Sequence, residues 1–246
     1  MDEENDWRIQ YVGELREDWD NPWTGTLHPK GSKIIPVSCV ELHGKKEVSI
    51  PIPNASASCL NVSKKCWDNA RKIRKDSKID SSIKKHLSFN TDTDALDYIE
   101  YMMQSVIFAF TALEGFVNEM VPEDYIYEKK GRRASTETFN KIAIERWLTI
   151  DEKFGSVLPK ALKIDSPKGS HKSWNELIKL KTLRDRLIHM KNGDRRTSSS
   201  GDETIWSDLV RAEPPYREAF SIIKYFVDKL DNEPRWFKNS QKVFIR

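Results

Sequence analysis

Ile99, Met103, Val106, Phe110, Leu113, Phe116, Val117 and Met120 recur at helical spacing through the middle of the chain. Asp92 or Thr93 can cap the start of this run, and Pro122 stops it. The pattern predicts one long helix with a continuous apolar stripe, which other elements must cover. Glu114 and Asn118, one turn apart, place two polar groups on its otherwise apolar second half. Buried among helices, such groups hold them together by hydrogen bonds.

From Val62 onward the remaining signals are almost all helical. A basic helix is expected over 64–75, then a polar link to about Asn90. Helical patterns run from about Glu137 to Leu148, and from a capping box at Thr149-x-x-Glu152 towards Leu162. A second capping box, Ser173-x-x-Glu176, opens a helix with Leu177, Leu180, Leu183 and Leu187 on one face, and Gly193 is placed to close it. Pro214-Pro215 start the last strong helix, with Tyr216, Phe220, Ile223, Val227 and Leu230 on one side. Lys129-Lys-Gly-Arg-Arg-Ala-Ser135 reads as a basic loop, residues 194–203 as a polar mobile one, and the tail from Trp236 as a short strand.

The first ninety residues differ in texture. Acidic residues mix with Trp7, Tyr11, Trp19 and Trp23, which suits a segment that docks onto something. Ile35, Val37 and Cys39, and then Val48, Ile50 and Ile52, alternate on either side of His43-Gly-Lys-Lys46. That is a hairpin signal, confined to an edge by Pro36, Pro51 and Pro53. The expected class is therefore mainly α: a helical bundle over 91–246 with a small N-terminal β-hairpin appendage within 1–90.

Composition narrows the function classes. The chain has 246 residues, 32% of them charged and 38% hydrophobic, enough for a real core. No run approaches the roughly 18 apolar residues of a membrane span, so no membrane partner is expected. The acidic start has no apolar run behind it, which points to a cytoplasmic protein rather than a secreted one. Cys39, Cys59 and Cys66 fit neither a zinc knuckle nor a disulfide frame and read as reduced thiols. His28, His43, His86 and His171 lack ligand-like spacing, so neither metal nor cofactor is expected. The net charge of +3 hides a basic concentration between Lys64 and Lys85, which suits a polyanion such as RNA or a plain solvated face.

The chemistry-bearing cluster lies on the helix that carries the leucine face. Arg184, Asp185, Arg186 and His189 fall within two turns. Histidine is the side chain that changes charge near neutrality, and arginine is a permanent cation that grips two phosphate oxygens. Asp185 lies one turn before His189 and could orient its imidazole. Such a set can move a proton and stabilise charge on a phosphoryl group without a metal. Arg186, and Arg195 and Arg196 in the following loop, are candidate substrate contacts or solvated charges. Residues five apart on a helix are offset by about 140°, so Arg184 and His189 diverge. Two copies lining a dimer cleft bring them together more easily than one, which predicts a homodimer with a composite site.

Arg184-Asp-Arg-Leu-Ile-His189 fits the Arg-x4–6-His pattern of the HEPN superfamily. Ala112-Leu-Glu-Gly-Phe-Val-Asn-Glu119 resembles the Glu-x3-Asn signature of the HEPN helix that packs against it. The resemblance covers roughly 92–232. It implies an all-α bundle, a homodimer with facing Arg/His helices, and metal-independent endoribonuclease activity leaving 2′,3′-cyclic phosphate and 5′-hydroxyl ends. Arg184, Asp185 and His189 would be catalytic, with Glu114 and Asn118 supporting the site. Members of this kind serve as toxins or antiviral effectors, with an antitoxin or regulatory protein as a further partner. Other members have lost catalysis and bind a partner protein or nucleic acid.

Overall fold

A computed structural model describes residues 6–22, 24–131, 135–169, 171–199 and 201–244. About 52% of the chain is helical and its sheets are small and two-stranded, so the class is mainly α. Two compact units are present: residues up to Ser58 with those from Glu233 onward, and Cys59–Asn232.

In the first unit, β1 (Gly13–Glu14) pairs with β4 (Lys33–Ile34), and β2 (Trp19–Asp20) pairs with β3 (Leu27–His28). The expected hairpin forms as antiparallel β5 (Val37–Leu42) and β6 (Lys46–Pro51), with Val40 opposite Val48. Its tip turns through Gly44 and Lys45, both at positive φ, where glycine costs nothing. The tail is helical instead of extended: α9 (Arg235–Phe244) buries Trp236, Phe237, Ser240 and Phe244, a spacing only a helix puts on one side. The acidic N-terminal segment docks on this helix. Trp7 meets Phe244 edge to face at 5.6 Å, and the Arg235 guanidinium donates to the Ile9 carbonyl at 3.0 Å. Trp23 lies outside the described residues.

The 22-residue α1 (Ala55–Asp76) starts earlier than its basic part suggests, because the Asn54 side chain accepts the Ala57 N–H at 2.8 Å. In the second unit it is held to α2 (Asp92–Met120) by a reciprocal pair of buried serines. Ser63 Oγ donates to the Ser105 carbonyl at 2.7 Å, and Ser105 Oγ donates to the Ser63 carbonyl at 2.9 Å. That contact rotates the buried stripe of the first half of α2 onto Tyr98, Met102 and Ser105, leaving Ile99 and Met103 half-buried. Thr91 caps α2 and Val121 ends it, just before Pro122.

After α2, the stretch expected as a basic loop contains β7 (Tyr127–Lys130), paired with β8 (Thr136–Phe139). Arg132 and Arg133 lie outside the described residues. Tyr127 faces Phe139 across the pair, so the helix expected from Glu137 starts only at α3 (Lys141–Trp147), capped by Asn140. A single turn, α4 (Ile150–Glu152), continues as a π-helical segment (Lys153–Val157) into α5 (Leu158–Leu162). The Thr149 side chain makes no capping bond, since Glu152 is drawn to Lys129 at 2.9 Å.

The leucine-faced helix is α6 (Lys172–Ile188). His171 caps it, Nδ1 accepting the Ser173 N–H at 3.2 Å, while Ser173 turns to Ser221 at 2.9 Å. A 3-10 turn (Asn192–Arg195) and α7 (Ile205–Arg211) precede α8 (Pro215–Val227). Helices α2, α6 and α8 pack on one another. Phe154, from the π segment, stacks on Phe116 at 6.2 Å and meets Phe226 edge-on at 5.5 Å, joining α2 and α8 around it. This core fixes the face of α6 that carries the charge cluster. Among the described residues, no helix is long and apolar enough to cross a membrane.

Candidate functional site at the end of the leucine-faced helix

Helix α6 stops at Ile188, one turn before Gly193. His189 is its C-cap, at φ −115° and ψ 55°, and its N–H donates to the Asp185 carbonyl at 3.0 Å. It has therefore left the helical screw, and the ideal-helix offset from Arg184 does not describe it. The imidazole is exposed and makes no hydrogen bond with any described residue. Ile188, 48% exposed, lies directly before it.

Arg184 is held from two sides. Its guanidinium sits over the Phe110 ring of α2, 4.6 Å from the centroid, and Nη1 donates to Asp185 Oδ1 at 2.9 Å. Asp185 also accepts from Lys181 at 3.0 Å, so its carboxylate serves the cations beside it and not the His189 imidazole. Burial pushes the Asp185 carboxyl upward, but the hydrogen bonds from Arg184 and Lys181 outweigh this and hold it below the usual carboxylate range. Lys181 lies 4.0 Å from Asp151 as well. The resulting strip alternates cations and carboxylates, with Arg184 about one third exposed.

Glu114 and Asn118 lie one and two turns along α2 from Phe110. Glu114 Oε2 accepts from Lys153 Nζ at 2.8 Å, and Lys153, only 2% exposed, also donates to the Glu145 carbonyl at 3.0 Å. Glu114 thus ties α2 to the π segment. Asn118 Oδ1 is buried and accepts no hydrogen bond among the described residues. Phe110, Lys153 and Lys181 also belong to the site, though the sequence alone does not mark them. Phe110 stands one turn before Glu114, a spacing that puts it on the same face. Nothing in local spacing links Lys153 to Glu114, 39 residues away.

Arg186 points elsewhere. It bonds the Glu203 carbonyl at 2.7 Å, pairs with Asp208 of α7, and reaches Asp194 at 3.4 Å. Asp194, 4% exposed, also accepts the N–H groups of Lys191 and Ile205 at 2.9 and 2.8 Å, and its carbonyl accepts from Trp206. Those two backbone donors, with Arg186 nearby, lower the Asp194 carboxyl below its ordinary value. Arg186 is thereby a brace for the turn after His189 and not a free substrate contact. The braced turn leaves Arg195 and Arg196 exposed, with no ion-pair partner among the described residues. The site brings together Arg184, Asp185 and Phe110, and sets His189, Arg195 and Arg196 at the same end of the chain's leucine-faced helix.

Comparison with models of known protein families, with curated proteins and with solved structures found no match.

Proposed function

We propose that this protein is a metal-independent endoribonuclease of HEPN type, cytoplasmic and homodimeric, acting as a toxin or antiviral effector. The observation that carries this is the end of α6: a guanidinium braced on Phe110, followed one turn later by an uncommitted, exposed imidazole. In the reaction, the ribose 2′-oxygen attacks phosphorus and the bond to the 5′-oxygen breaks, leaving a 2′,3′-cyclic phosphate and a 5′-hydroxyl. His189 takes the 2′-hydroxyl proton or returns one to the 5′-oxygen. Arg184 stabilises the charge that grows on the phosphoryl oxygens, and its stacking on Phe110 removes rotational freedom before substrate arrives. Asp185 positions Arg184. Arg195 and Arg196 hold flanking phosphates.

A second copy completes the site, with Ile188 as an apolar neighbour of His189 for it to cover. The test is incubation of purified protein with RNA in EDTA beside His189→Ala. Cleavage by the wild type alone supports the assignment; equal cleavage by both removes it.

A second reading is favoured by one contact. Asp185 pairs with Arg184 at 2.9 Å and offsets the charge that phosphate would need. A catalytically silent HEPN-like module would keep such a pair to bind a partner protein or nucleic acid. Cleavage that Arg184→Ala abolishes without loss of fold excludes it.

A further inference from the structure

A cavity of about 410 Å³ lies between α1, α2 and the end of α7. Its floor is Met102 and Tyr98 of α2, both nearly fully buried. One wall is the half-buried indole of Trp67. Another is Arg74, locked by Asp80 at 2.8 Å and by the Val210 carbonyl at 2.8 Å. Arg71, exposed, also lines the cavity and has no ion-pair partner among the described residues. Asp80 is held by Arg74, so Glu213 is the one lining carboxylate outside an ion pair, and it also lines the adjoining cavity.

Further cations lie on α1 and in the link after it. Lys64 pairs with Asp68, but Lys65, Lys72 and Lys75 on α1 and Lys78, Lys84 and Lys85 beyond it are without acidic partners among the described residues. An indole wall with an unpaired guanidinium suits a flat aromatic ring that carries a phosphate nearby. The volume is within the range of pockets that enclose small ligands. Lys75, one turn beyond Arg71, continues the cationic rim towards a flanking phosphate, with Lys72 and Lys65 further round the same helix.

We propose that this cavity receives an unstacked base of single-stranded RNA, while the free cations of α1 follow its backbone. The inference rests on the reading of the protein as one that acts on RNA, and names the form of that RNA. Duplex RNA keeps its bases stacked and paired and offers the cavity nothing.

Binding is measured on the full chain carrying His189→Ala, by fluorescence anisotropy at fixed salt. The probes are a 12-nucleotide single-stranded RNA, a duplex RNA of the same length, and inorganic polyphosphate. We expect the single strand to bind more tightly than the duplex. Trp67→Ala, or Arg71→Glu at the exposed rim, should weaken the single strand about tenfold and leave the ratio of duplex to polyphosphate unchanged. Lys72→Ala with Lys75→Ala should reduce the salt slope by roughly 1.4. Duplex or polyphosphate bound as tightly as the single strand overturns the proposal. So does unchanged single-strand affinity in both cavity variants, folded by circular dichroism. Because the probe protein lacks His189, intact binding without wild-type cleavage would reject only the nuclease assignment. Wild-type cleavage that survives both cavity variants with unchanged affinity would reject only the cavity.

Discussion

Each charged residue near the end of α6 has a different task, set by what it touches. His189 has no partner to satisfy, so His189→Ala should leave the fold intact and lower cleavage about 10²- to 10⁴-fold, measured by initial rates at saturating RNA. Arg186 is the opposite case. Arg186→Ala removes bonds to Asp208, Asp194 and the Glu203 carbonyl and should cost about 2 kcal/mol in urea denaturation. Asp194 sets a pH limit on the same brace. Its carboxyl is lowered in the folded chain, so the stability it contributes is present above the unfolded value of 3.8 and lost as pH falls through the folded one. Glu218 runs the other way. Burial, with Glu176 and Glu213 adding repulsion against the weaker pull of Lys179, raises it from 4.5 to about 7. A raised carboxyl favours the folded state below pH 4.5, and that advantage is lost as pH rises through about 7. Glu218→Gln should therefore melt higher than wild type at pH 8 and close to it at pH 4.

Among the elements, the π segment does the most unusual work. It brings Lys153 under α2 and lets Gly155 approach the Trp174 ring, where an added Cβ would meet the indole at 2.9 Å. Gly155→Ala should cost about 1–3 kcal/mol, read by chemical denaturation, since Trp174 is buried and cannot swing away. Lys153→Ala should cost about 3 kcal/mol by the same measurement, and Lys153→Met less, because an apolar side chain fills the space without a charge to compensate. Sequence periodicity exposed α2, α6 and α8, whose stripes run long enough for a 3.6-residue period to stand out. It did not expose β7 and β8, where Lys129, Lys130 and Glu137 mask the Tyr127–Phe139 pair. Nor did it expose the tail helix α9, whose buried residues span little more than two turns. Within the site, Arg184, Asp185 and His189 were legible because their spacing is local. The bracing role of Arg186 was not, since its partners lie 8, 17 and 22 residues away.

For the whole molecule, the sequence places a single Arg/His helix in each chain, and His189 departs from the helix that carries Arg184. In the proposed dimer, a shared site would take Arg184 from one copy and His189 from the other. Mixing Arg184→Ala with His189→Ala then has a definite consequence. In a mixed dimer one site has lost both residues and the other retains both. The decisive measurement is RNA cleavage in EDTA by wild type, by each variant, and by their equimolar mixture after subunit exchange. We expect cleavage by the wild type with 2′,3′-cyclic phosphate ends, silence from each variant alone, and recovery in the mixture to roughly a quarter of the wild-type rate. No cleavage by wild type, or full cleavage by His189→Ala, would contradict the assignment of this helix as a ribonuclease site.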